Sequence, residues 1–148
     1  MRKNLSLDLG LALLRAALGI VFIAHGWQKF FVIGHTALTG FFSTIVPFPE
    51  INAVIVPAVE LGGGIALLAG AATRVMSTLL AFTMVVAMVT VHFTNGFFMA
   101  TNGYEFVLTL LLANVALALT GAGAFSVDQA FASRRMTVRQ AEPLGRAA

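Results

Sequence analysis

Apolar residues gather into four long runs, at Leu9–Phe31, Ile51–Ala71, Val75–Thr94 and Tyr104–Gly121, with short polar or turn-forming stretches between them. At a rise of about 1.5 Å per residue, runs of this length suit a hydrocarbon core about 30 Å thick. The pattern predicts an all-α membrane protein built as a four-transmembrane-helix bundle. Ala72-Thr73-Arg74 is so short a link that the second and third helices must be antiparallel neighbours. The first long loop, Val32–Glu50, carries Phe41, Phe42, Ile45, Val46 and Phe48, with Pro47 and Pro49. A loop this apolar is expected to lie on the bundle mouth or dip into the membrane interface. Gly-Phe-Phe recurs at Gly40–Phe42 and Gly96–Phe98, but the two halves barely match elsewhere, so no internal duplication is assigned.

Composition sharpens this picture. Of 148 residues, 59% are hydrophobic and 10% charged, against about 25% charged in soluble domains. The basic residues lie at the ends of the apolar runs. They read as topology determinants and not as nucleic-acid contacts. With the N-terminus inside, the inner side holds Arg2, Lys3, Arg74, Arg134, Arg135, Arg139 and Arg146, whereas the outer side holds only Lys29. The expected topology is therefore N-in/C-in, as a multi-pass membrane protein. The basic, apolar start resembles a signal peptide, but Arg15 interrupts it and no small-residue cleavage motif follows in place. The first segment is expected to remain as a helix. There is no cysteine, which excludes disulfide, thiolate-metal and dithiol redox chemistry by this chain. Residues 132–148 form a short basic tail, with disorder expected from about Thr137. Before it, Ser126 and Gln129 have the spacing of a helix cap. A short interfacial helix there would turn Val127, Ala130 and Phe131 toward the membrane.

Polar residues inside the spans are costly and each needs a reason. Arg15 and Glu60 fall at depths from which an internal ion pair is expected, serving to hold the bundle or to carry a function. Pro57 and Gly62, Gly63 and Gly64 flank Glu60, while Ala58, Gly62, Ala66 and Gly70 form a small-residue stripe suited to helix packing. A second cluster comprises His25, Lys29, His92, Asn95, Tyr104 and Glu105, with Asn102 and Trp27 nearby. An interfacial belt explains Trp27 and Tyr104. It accounts less well for two histidines and a glutamate. An apolar slot ringed by such groups suits a quinone ring or proton transfer. Two histidines at one depth also raise haem ligation, which no other feature supports. No metal site is expected.

These residues together resemble the DoxX family of small bacterial membrane proteins. The matching motifs are Arg15…Leu18-Gly19…Phe22…His25-Gly26…Lys29, then Glu60-Leu61-Gly62-Gly63-Gly64…Leu67…Gly70…Thr73-Arg74. His92-Phe93-Thr94-Asn95-Gly96-Phe97-Phe98 with Gly103-Tyr104-Glu105 follows, and then Gly121-Ala122-Gly123…Ser126-Val127-Asp128. The resemblance covers about residues 9–131. It implies a four-helix membrane domain, in some members like the quinone-reducing subunit of thiosulfate:quinone oxidoreductases, in others associated with oxidative-stress or thiol defence. The leading expectation is a redox-associated subunit handling a quinone-like carrier, in contact with soluble or membrane redox proteins. Alternatives are a membrane scaffold for partner proteins and a small proton-coupled transporter, the latter favoured if the chain forms a homo-oligomer.

Overall fold

The computed structural model describes residues 4–141, and these are helical without strands. Helix α1 spans Leu5–Trp27 and continues as a π-helix over Gln28–Ile33. The short α2, His35–Phe42, leads to α3, Pro49–Ala69. Helix α4, Thr73–Ala87, runs into a second π-helical stretch, Met88–His92, and a 3-10 turn, Phe93–Asn95. A 3-10 turn at Met99–Thr101 precedes α5, Glu105–Thr120, and α6 is Val127–Ala141. Three of the continuous helical stretches are long and apolar enough to cross a membrane: Leu5–Ile33, Pro49–Ala69 and Thr73–Asn95. α5 is equally apolar but shorter.

Local chemistry sets these boundaries. Pro49 opens α3, where its missing N–H costs nothing. Gly70, with φ of 70°, ends it in a Schellman arrangement: Ala71 N–H donates to Ala66 O and Gly70 N–H to Leu67 O. The first run was expected to begin at Leu9, and the helix begins at Leu5. Asp8 lies inside the added turn because its carboxylate accepts the Ala124 N–H at 2.8 Å. Helix α6 extends past Thr137, where disorder was expected, to Ala141, and residues 142–148 lie outside the described residues. Its start is as expected, with the Ser126 hydroxyl accepting the Gln129 N–H.

The bundle is assembled from two tight antiparallel pairs, α1 with α3 and α4 with α5. Lipid tails offer no less apolar a medium than a core, so close packing must hold helices together. Glycine makes this possible in the first pair: a Cβ on Gly19 would lie 2.8 Å from Gly64 O, and one on Gly64 would lie 2.8 Å from Gly19 O. The expected stripe Ala58, Gly62, Ala66, Gly70 is displaced from the actual contact. Ala58 and Gly62 face outward, and it is Gly63 and Gly64 that meet α4 and α1. Leu18, Phe22, Leu67, Leu80, Met84, Val107, Leu110 and Leu117 join the pairs in one core. Around it, residues such as Leu13, Phe82 and Leu119 are exposed and apolar, as a lipid-facing surface requires.

The two ends of the bundle differ. At the turn end, around Gly70–Arg74, the linker 121–126 is tied down by polar bonds. Asp128 accepts the Ala72 and Thr73 N–H groups at 2.7 and 2.9 Å, capping α4 from a distant part of the chain, and its own N–H donates to Gly70 O. At the loop end, α2 packs Leu38 and Phe42 onto Ala53 of α3. The apolar loop is thus a helical roof over the bundle mouth.

Candidate functional site

Glu60 is 2% exposed in the middle of α3, and its carboxylate is bound by the Lys29 ammonium through both oxygens. The expected Arg15–Glu60 pair does not form. Arg15 donates instead to the carbonyls of Leu67 and Phe125 at the turn end. Two physical reasons separate them. Gly19 packs against Gly64 and Leu68, so Arg15 stands level with Leu67 to Gly70, about 10–15 Å along the helix from Glu60. Side chains on a helix also lean toward its N-terminus. In this antiparallel pair, Arg15 leans to the turn end and Glu60 to the loop end. Lys29, on the π-helical turn, leans back toward Glu60.

This ion pair lies in the wall of a cavity of about 510 Å³ between the two helix pairs. His25 and Lys29 of the α1 stretch, Glu60 of α3 and His92 of the α4 stretch all line it. Lys29 and His92 both sit on π-helical turns. Such insertions shift side-chain direction within an otherwise regular helix and recur at functional sites. The rest of the wall is mainly apolar, including Phe41, Phe42, Ile45 and Val46 of the roof segment and Phe82 and Val86 of α4.

The hydrogen-bonding capacity left in the cavity can be counted. Lys29 has three N–H donors, and Glu60 engages two oxygens' worth of them. One donor remains available. His92 Nδ1 lies 2.9 Å from Asn102 O. A carbonyl only accepts, so Nδ1 carries the hydrogen, and a neutral ring leaves Nε2 as an acceptor. Thr83 and Thr90 donate to Leu80 O and Val86 O, which leaves their oxygen lone pairs. The cavity therefore offers a cationic donor on one helix and a neutral acceptor on another.

The other expected site residues do not line it. Asn95 donates to Val91 O and Asn102 O, and the Glu105 carboxylate accepts the Met99 N–H. Tyr104 stacks on Phe93 and meets Phe97 edge-on. These three shape the loop between α4 and α5, and Asn95 shares the Asn102 carbonyl with His92. Trp27 packs tilted against Phe31 at the surface, with ring centroids 4.2 Å apart. Thr83 of α4 and Thr90 of the π-helical stretch after it are not marked in the sequence, although both line the cavity. The π-helical turns left no recognisable signal.

The profile of the DoxX family matches residues 10–93. A Bacillus subtilis protein named "Putative oxidoreductase CatD" is 37% identical over 125 residues, covering 84% of this chain and 89% of that protein. The Escherichia coli protein named "Inner membrane protein YqjF" is 31% identical over 125 residues, covering 82% of this chain and 92% of that protein. No solved structure matches the chain. The chain belongs to the DoxX family of membrane proteins.

Proposed function

We propose that this protein is a redox-associated subunit of a bacterial inner membrane, and that its cavity holds the ring of a quinone-like carrier. The observation that carries this reading is the cavity itself: a mainly apolar slot with the Lys29–Glu60 pair and His92 among its few polar groups. A quinol matches these groups, one hydroxyl oxygen accepting from Lys29 and the other O–H donating to His92 Nε2, and the oxidised ring keeps a carbonyl on Lys29. With no cysteine in the chain, electrons would have to travel on a bound carrier and on partner proteins. The word oxidoreductase in the name of the Bacillus relative agrees with this role. Four crossings with both termini inside fit the charge distribution, and with that topology the cavity would lie in the outer half of the bilayer.

Trp27 is the single tryptophan and stands two residues from both His25 and Lys29. Titrating the purified protein in mild detergent with decylubiquinone should quench its fluorescence saturably. Thr83→Phe and Thr90→Phe, which add bulk to the cavity wall, should weaken that binding at least tenfold while the proteins remain monodisperse. Linear quenching, equal in all three proteins, would reflect partitioning into detergent and leave the scaffold reading in the lead.

A further inference from the structure

The cavity is walled unequally. At the loop end it is roofed by Phe41, Phe42, Ile45 and Val46, and Phe42 is itself packed down with Leu38 on Ala53. At the back stand His25 and Lys29 of the α1 stretch. Toward the turn end, α3 and α4 close on each other where Gly63 meets the Leu80 side chain, and Leu18, Phe22 and Leu67 fill the core beyond. The remaining side lies between α3 and α4. There the lining residues Ile55, Leu79 and Phe82 are 53%, 43% and 67% exposed. All three are apolar and belong to stretches long enough to cross a membrane. Glu60, 2% exposed, thus stands deep in the cavity, while the flank between α3 and α4 is hydrocarbon.

We propose that the cavity is loaded sideways from the bilayer through the gap between α3 and α4, by an amphiphile with a single-ring head and a hydrocarbon chain. This rests on the reading of the cavity as a carrier site. The head sits at Lys29, Glu60 and His92, and the chain trails over Ile55, Leu79 and Phe82 into the lipid. A volume of about 510 Å³ accommodates a ring and the start of a chain, not a long tail. A molecule already dissolved in the membrane needs no aqueous route, and its chain loses no favourable surroundings on binding. The polar head gains partners that the hydrocarbon core lacks.

The test uses the full chain in liposomes and a decyl-chain ubiquinone analogue with a diazirine at the chain end. After irradiation, peptide mass spectrometry should place adducts on Ile55, Leu79 and Phe82. Thr83→Phe should lower their yield at least fivefold. Adducts concentrated on Phe31, Val32 or Phe48 at the loop end would overturn sideways loading, yet leave the head site intact if fluorescence binding persists. Undiminished labelling in Thr83→Phe would mean that the probe had reacted from bulk lipid, which also overturns it. Absence of saturable head binding would remove the carrier reading and this proposal together.

Discussion

Two buried ionic side chains in this protein take opposite solutions to the same cost. Glu60 is matched by a full countercharge from Lys29. Arg15, 2% exposed, is held by two backbone carbonyls, and its Nε has no hydrogen-bond partner among the described residues. Removing one member of a buried pair leaves an uncompensated charge, at a cost of about 3–5 kcal/mol. Lys29→Met and Glu60→Gln should each destabilise the protein strongly, and the double variant should lose much less than their sum. Arg15→Met combined with Glu60→Gln should be additive. A thermal-unfolding cycle in detergent distinguishes the two pairings, and coupling found only for Arg15 and Glu60 would contradict the observed geometry. The sequence singled out Arg15 and Glu60 and paired them with each other, while Lys29 was placed in the outer cluster. Depth along a helix can be estimated from spacing. The direction in which each side chain leans, and the overhang of α1 beyond α3, cannot.

At the scale of elements, the four apolar runs were legible to within a few residues because length and hydropathy alone define them. What stayed hidden is how the helices touch. Three consecutive glycines in α3 look equivalent in sequence, yet a Cβ at Gly62 would meet nothing within 4 Å, while one at Gly64 would press on the α1 backbone. Gly64→Ala should therefore cost about 1–3 kcal/mol by forcing the helices apart. Gly62→Ala should be neutral or slightly stabilising, since alanine favours helix. Unfolding midpoints of the two variants compare them directly, and equal losses would mean that α1 and α3 pack in another register. The roof helix α2 illustrates the same limit. Its apolar content marked the loop as unusual, but only packing against Ala53 explains why those side chains turn inward.

The molecule as a whole reads as two helix pairs, closed together at the turn end and parted by a cavity toward the loop end. Glu60 belongs to the cavity and Arg15 to the bonded turn end, with Leu18, Phe22 and Leu80 in the core between them. How many times the chain crosses the bilayer depends on α5, which at 16 residues is about 24 Å long. That is short of the usual core. However, α5 runs antiparallel along α4, from the Asn102–His92 contact at one end to the Arg74–Thr120 contact at the other. If α4 crosses, α5 is carried across beside it, and the bilayer can thin locally to match. The native chain contains no cysteine, so single cysteines report position without background. Thr36→Cys and Ala100→Cys should react with a membrane-impermeant maleimide in intact spheroplasts. Ala132→Cys, beyond α5, should react only after lysis. Should Ala132→Cys label from outside together with Ala100→Cys, α5 does not cross, and the chain spans the membrane three times. Should all three accessibilities invert, the crossings stand, but the cavity opens into the inner leaflet, where any carrier would meet cytoplasmic partners.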